Sequence, residues 1–113
     1  MSLSGDHPVI AGIDGFRAVC MNVDEVAEAP ASAAVLGSSE GCALQVLAYG
    51  DNILTCQSHP EFSFERGSWM VKGVAMALSK GPGPGYSRFR ESGPAVWPRD
   101  DAFIRAVIKW LLA

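Results

Sequence analysis

The sequence predicts an α/β domain in which mixed strands and a β-hairpin come first and two helices follow. Two observations support this order. Between residues 16 and 57, short runs rich in Val, Leu, Ile and Cys alternate with Gly, Asp, Asn and Ser, which is typical of strands joined by tight turns. After residue 63, and again after residue 100, apolar residues recur every three or four positions, which is typical of amphipathic helices.

The first predicted strands lie between residues 16 and 38. Residues 16–23 combine Phe, Val and Cys with a single charge, which favours a buried or half-buried strand. The segment that follows contains Pro30, and a proline in this position favours an irregular connection over a helix. Residues 34–38 then form a short predicted strand that leads into a turn at residues 39–41.

A β-hairpin is predicted over residues 43–58. The turn sequence Gly-Asp-Asn at residues 50–52 separates two apolar runs, and these residue types tolerate the positive φ that a tight turn requires. Along the first run, two sets of residues alternate, namely Leu44, Val46 and Ala48 against Gln45, Leu47 and Tyr49. The alternation predicts a strand with one face toward the core.

Two helices are predicted in the second half of the chain. The first begins near Ser63, a possible N-cap, and ends near residue 79. A Gly- and Pro-rich surface excursion occupies residues 81–98, and a C-terminal helix occupies residues 100–113. The expected apolar faces contain Trp69, Met70, Val71, Val74, Ala77 and Leu78 in the first helix and Phe103, Ile104, Val107, Ile108 and Leu111 in the second. We expect both faces to be covered.

Length and composition exclude several classes of protein. A chain of 113 residues with 49% hydrophobic content buries one core and leaves little room for a second domain. A net charge of -3 offers no basic surface for nucleic acid, and no apolar run is long enough for a membrane span. No secretory leader is recognised, so we expect a cytoplasmic protein. Three widely spaced cysteines without a Cys-x-x-Cys pair predict no disulfide framework, no metal site and no cofactor.

Candidate chemistry is concentrated at His59 and Glu61. A histidine can transfer protons near neutral pH when a carboxylate fixes its tautomer, and Glu61 lies two residues further on, separated by the restricted Pro60. The alternative is a hydrogen-bonded structural histidine. Cys56 is the nearest nucleophile, but three residues along a strand its side chain should point to the opposite face. We therefore expect Cys56 to pack in the core.

The stretch ILTCQSHPEFSFE resembles the C-terminal signature of class I (triad-type) glutamine amidotransferases, in which an apolar-x-Gln-aromatic-His-Pro-Glu strand carries two residues of the triad. Three preceding segments, HPVIAGIDGF, NVDEVAEAP and AAVLGSSEGCALQVLAYGDNIL, are similar to that family in the same order. The resemblance covers about residues 7–80 and is greatest to stand-alone, GMP-synthase-like amidotransferase domains.

The resemblance implies the C-terminal part of a three-layer α/β domain that hydrolyses glutamine to glutamate and ammonia for transfer to an acceptor. In this family a cysteine thiolate attacks the side-chain amide and forms a thioester. By resemblance, His59 is the general base and acid, and Glu61 orients it. Asn22, Val23 and Asp24 would line the glutamine site. For Asp24, a solvated turn residue is an equal alternative.

The chain also departs from the family pattern. No Gly-x-Cys-x-Gly elbow precedes His59, Ser58 replaces an aromatic residue, and Asn22 and Val23 stand where the family often has His and Gly. We therefore expect the chain to be inactive alone. One hypothesis is a C-terminal fragment whose missing N-terminal half or synthase partner carries the cysteine, and the alternative is a non-catalytic binding or regulatory module. Either would expose strand edges, so we expect a homo-oligomer or a complex.

Overall fold

The computed structural model describes residues 1–22, 24–77 and 101–113. The strands are β1 (Ser2–Leu3), β2 (Val19–Cys20), β3 (Ala33–Ser39), β4 (Cys42–Tyr49), β5 (Ile53–Cys56) and β6 (Ser58–His59). A 3-10 helix spans Pro8–Ile10, and the α-helices are α1 (Phe64–Ala77) and α2 (Ala102–Leu112). The structure is thus mixed α/β with strands before helices, as the sequence predicts.

The strands form two antiparallel sheets. One has the order β1-β3-β4-β5, and the other pairs β2 with β6. The predicted hairpin is formed by β4 and β5, with Tyr49 opposite Ile53 and Val46 opposite Cys56. Gly50 opens its turn with φ of 58°, a value that glycine adopts with little strain.

Gly37 allows β3 to approach β4 closely. A Cβ atom at this position would lie 2.8 Å from a methyl carbon of Val46, which is a steric clash. The register of β3 against β4 shifts on both sides of Gly37. The missing side chain therefore lets an irregular strand remain paired across the buried Val46.

The core lies between the four-stranded sheet, the 3-10 helix and α2. Its buried members are Leu3, Val9, Ile10, Phe16, Leu36, Val46, Ala48 and Phe103. Phe103 of α2 stacks on Phe16 with ring centroids 4.1 Å apart and planes 2° apart. This contact packs the C-terminal helix on the N-terminal third of the chain. In the apolar face predicted for that helix, Phe103 is buried, but Ile108 and Leu111 are 50% and 66% exposed, so the expectation that the whole face is covered is wrong.

Two local expectations are wrong. Within the described residues 16–22, the predicted strand is reduced to Val19–Cys20, and Phe16 lies in the core with its backbone N–H donating to the carbonyl of Met1 at 3.2 Å. His7 precedes Pro8 and is predicted from the sequence to lie at the surface, but it is buried, since its ring packs edge to face on Trp110 with centroids 5.9 Å apart.

The helix α1 belongs to a compact unit separate from the one formed by residues 1–61 and α2. Ser63 caps it as predicted, because its Oγ accepts a hydrogen bond from the Arg66 N–H at 3.3 Å. Trp69 is 76% exposed, so the expectation that it lies on a covered face is wrong. The predicted helix end at residue 79 and the excursion at residues 81–98 lie outside the described residues. The assignment of the chain to one partial domain stays a prediction.

None of the described helices combines the length and the apolar character needed to span a bilayer.

Candidate active site

The structure joins the two predicted catalytic side chains directly. His59 Nδ1 lies 2.9 Å from Glu61 Oε1. β6 carries His59 and pairs with β2, which sets His59 opposite the buried Val19. The side chains of His59 and Glu61 are 35% and 49% exposed, so solvent or a ligand can reach the pair.

This contact determines which ring nitrogen of His59 is basic. A carboxylate only accepts hydrogen bonds, so Nδ1 must carry the proton that it donates to Glu61. In the neutral ring Nε2 then has the lone pair and can take up a proton. The same carboxylate stabilises the imidazolium that results, which is the arrangement a general base requires.

The pair borders an open cleft of about 550 Å³. One side is formed by the end of the β4–β5 hairpin and by β6, and the other side is the helix α2. The lining residues are Asn52, Ile53, Leu54, Cys56, Ser58, His59, Pro60, Glu61, Phe103, Ile104, Val107, Trp110 and Leu111. The cleft therefore has a polar end at the His59–Glu61 pair and an apolar wall along α2.

Cys56 lines the same cleft as His59, contrary to the expectation from strand alternation. The alternation is interrupted because β5 ends at Cys56 and the chain bends at Gln57 before β6 begins. The expectation that Cys56 packs on the core holds, since it is half-buried against the core cluster.

The surroundings of Cys56 do not activate its thiol. Burial raises the pKa of the Cys56 thiol, hydrogen bonds with Ser58 oppose the rise, and the charge of Glu61 adds to it. The Sγ of Cys56 lies 3.1 Å from the Ser58 hydroxyl. Because the thiolate is the reactive form, a raised pKa disfavours Cys56 as a nucleophile at neutral pH.

The other cysteines are held by glutamine amides. Cys42 is buried and its Sγ accepts from Gln57 Nε2 at 3.1 Å, whereas the Sγ of the exposed Cys20 accepts from Gln45 Nε2 at 3.4 Å. Within residues 1–22, 24–77 and 101–113, no three His, Cys, Asp or Glu side chains are grouped so that they could hold a metal ion.

Asn22 and Asp24, the described residues of the predicted substrate-binding segment, lie toward the Gln57 end of β6 and not toward the Glu61 end. Asn22 and Asp24 are exposed, and Asn22 Nδ2 donates to the Asp24 carbonyl at 2.8 Å, which closes a local turn. Val23 lies outside the described residues. Since β2 runs antiparallel to β6, the segment that follows Cys20 runs beside Gln57 instead of beside Glu61.

One residue of this region was missed by the sequence-based site prediction. The side-chain Oε1 of Gln57 accepts a hydrogen bond from the N–H of Val26, which lies two residues after Asp24, at 3.3 Å. The sequence contained a signal for it, because Gln57 occupies the Gln position of the signature that also contains His59 and Glu61.

Comparison with known proteins gives a partial similarity. No family model matches the chain, and no solved structure gives a significant match. Gamma-glutamyl peptidase 3 of Arabidopsis thaliana is 45% identical over 42 residues, which are 37% of this chain and 17% of that protein. A match of this extent supports a relationship at the level of the class I glutamine amidotransferase-like superfamily and does not define a closer family.

Proposed function

We propose that this chain is the C-terminal part of a class I glutamine amidotransferase-like hydrolase that cleaves γ-glutamyl amide bonds. The observation that carries the proposal is the 2.9 Å contact between His59 Nδ1 and Glu61 Oε1. Glutamine, which the sequence resemblance implies, and γ-glutamyl peptides, which the name of the partial relative denotes, share this bond. The chain's own residues supply the base and its orienting carboxylate.

The reaction follows from the tautomer that Glu61 selects. His59 Nε2 takes the proton of a cysteine thiol, whose sulfur attacks the γ-carbonyl carbon and forms a tetrahedral adduct. The imidazolium then returns the proton to the leaving amine or ammonia, and a thioester forms. Water, deprotonated by the same nitrogen, attacks the thioester and releases glutamate and the thiol. Glu61 stays ionised throughout and stabilises each imidazolium.

The nucleophilic thiol in this scheme is not that of Cys56. Burial raises the pKa of the Cys56 thiol, and the charge of Glu61 adds to the rise, so the protonated form of the sulfur is favoured although hydrogen bonding to Ser58 acts in the opposite direction. We propose that a further part of the enzyme or a partner polypeptide contributes the cysteine, which makes the functional unit a complex. The open cleft beside His59 gives such a sulfur access to the ring.

A glutaminase assay and a binding titration on the purified 113-residue chain test the proposal. We expect no turnover of glutamine or of a γ-glutamyl peptide by the chain alone. In heteronuclear NMR, glutamine should shift the signals of residues 57–61, whereas isoglutamine, which lacks the γ-amide, should not. Turnover that Cys56→Ala abolishes would contradict the assigned role of Cys56. Binding that does not distinguish the two amides would contradict the substrate class.

Alkylation of Cys56 provides an independent check on its chemistry. With Cys20→Ser and Cys42→Ala introduced so that one thiol remains, iodoacetamide should react slowly at pH 7. The rate should rise with a midpoint above the ordinary thiol pKa of 9.0, because burial disfavours the thiolate. A midpoint below that value would indicate an activated cysteine and a self-contained site.

If glutamine binds but neither a thiol-bearing partner nor any added cysteine-containing half restores turnover, a non-catalytic binding or regulatory module becomes the better description. The structural basis for this second function would be the same cleft, with His59 and Glu61 serving as hydrogen-bonding groups.

A further inference from the structure

We propose that Gln57 is a positioning residue of the proposed site, which fixes residues 24–26 against the strand that carries His59. The inference rests on the proposed function and goes beyond it, because it assigns a role to a side chain that neither transfers protons nor forms the thioester.

Gln57 occupies the bend between two short strands. β5 ends one residue before it and β6 begins one residue after it, at Ser58. The backbone N–H of Gln57 donates to the Gln45 carbonyl at 2.9 Å, which extends the pairing of β4 through the bend. The position of Gln57 therefore sets where the chain leaves β4 and turns toward His59.

The side-chain amide of Gln57 is bonded at both ends. Its Nε2 donates to the Leu44 carbonyl and to the Cys42 sulfur, each at 3.1 Å. Its Oε1 accepts from the Val26 N–H at 3.3 Å. Because the carbonyl of Leu44 accepts and the N–H of Val26 donates, the reverse amide orientation would lose both bonds. A carboxamide in one orientation thus joins β4, the bend and the Val26 segment.

The Val26 segment, residues 24–26, lies at the surface. Asp24, Glu25 and Val26 are exposed, so little apolar burial holds their backbone in place. The resemblance assigns substrate contact to Asp24, two residues before Val26, and the position of such a group affects activity on a scale of about 1 Å. Losing the bond to Gln57 should therefore loosen the segment more than it disturbs the sheet.

Two substitutions separate the bonds of Gln57. Gln57→Met keeps the length and approximate volume of the side chain but removes all three hydrogen bonds. Gln57→Glu keeps an oxygen that can accept from Val26. The matched control is Gln45→Met, since Gln45 is a buried glutamine on the adjacent strand whose Nε2 donates to Ser39 Oγ and Cys20 Sγ.

We expect Gln57→Met to accelerate hydrogen exchange at the Val26 amide by about tenfold and to weaken glutamine binding by a similar factor, the usual effect of losing one hydrogen bond. Gln57→Glu should restore part of the protection at Val26, because one carboxylate oxygen can accept from that N–H while the other faces the Leu44 carbonyl without a proton to donate. Gln45→Met should leave the exchange rate at the Val26 amide and the affinity for glutamine within about twofold of the wild-type values, although it removes comparable buried hydrogen bonds. Wild-type exchange and affinity in Gln57→Met, or an equal loss in Gln45→Met, would overturn the proposal.

The measurements also separate the two hypotheses. If the wild-type chain does not bind glutamine, the proposed function fails, while exchange at Val26 still decides whether Gln57 holds the segment. If Gln57→Met does not fold, Gln57→Glu decides the same question, because a carboxylate that accepts from Val26 must then protect that amide. An unprotected Val26 amide in a folded Gln57→Glu variant would contradict the positioning role.

Discussion

The molecule contains two His-Pro dipeptides, and the same ring atom serves opposite functions in them. In each, Nδ1 contacts the residue two positions further on. His7 Nδ1 accepts a hydrogen bond from the backbone N–H of Val9 at 3.2 Å, whereas His59 Nδ1 lies 2.9 Å from the carboxylate of Glu61. The first contact requires an unprotonated Nδ1, and the second requires a protonated one.

The surroundings of the two histidines reinforce this difference. His7 is 9% exposed, caps the 3-10 helix and packs against Trp110, and its Nε2 has no hydrogen-bond partner among the described residues. The side chain of His59 is 35% exposed and lines the cleft. A dipeptide therefore does not define a site. The group two residues further on determines the role of each ring. The carboxylate of Glu61 holds the ring of His59, whereas the backbone N–H of Val9 makes His7 a helix cap.

The largest expected effect on the free energy of unfolding is at α2. This helix links the two histidines, since its Trp110 contacts His7 and also lines the cleft of His59. Phe103→Ala should lower the free energy of unfolding by about 3–5 kcal/mol, since it removes a fully buried ring stacked on Phe16. Leu112→Ala, at a position that is 82% exposed, should change it by less than about 0.5 kcal/mol. Urea denaturation measures both. A loss below about 1 kcal/mol for Phe103→Ala would show that the helix is not anchored there.

The next effect distinguishes the two histidines themselves. His7→Ala should cost about 2 kcal/mol, because it leaves the Val9 N–H without its acceptor and opens space beside Trp110. His59→Ala should cost less than about 1 kcal/mol, since its ring is partly exposed. His7→Asn, whose side chain can cap in the same way, should recover part of the loss. Thermal unfolding measures these changes. Equal losses of stability in His7→Ala and His59→Ala would contradict the distinction between a buried capping histidine and a partly exposed one.

The smallest expected effect on stability, and the most specific test of the site, is Glu61→Gln. An amide can donate as well as accept, so the preference for a proton on His59 Nδ1 should weaken, and the Nε2–H tautomer should gain population. The free energy of unfolding should change by less than about 0.5 kcal/mol, because the pair is exposed. Imidazole nitrogen shifts report the tautomer, and the signals of His7 serve as an internal reference. An unchanged His59 tautomer would contradict the orienting role of Glu61.

Several features followed from local sequence. The turn at Gly50, the β4–β5 pairing and the Ser63 cap are determined by residues close in the chain, so their patterns are visible in the sequence. The His59–Glu61 contact belongs to the same class, since the two residues are separated by one proline.

Other features depend on partners that are distant in the chain and could not be predicted from the sequence. Phe16 is buried by α2 and bonded to Met1, so a strand-like composition did not become a strand. His7 is covered by Trp110 from the C-terminal helix, which no local pattern indicates. Cys56 reaches the cleft because the chain bends at Gln57, and that bend depends on Gln45 and Leu44 of the neighbouring strand.

The ladder between β2 and β6 is only two residues long on each strand, whereas β4 contributes eight residues to its sheet. A ladder this short opens locally at a lower free energy than the unfolding of the larger sheet. His59 therefore lies in the part of the unit that can open locally without global unfolding. The His59 ring can adjust its position, while the four-stranded sheet keeps the cleft in place.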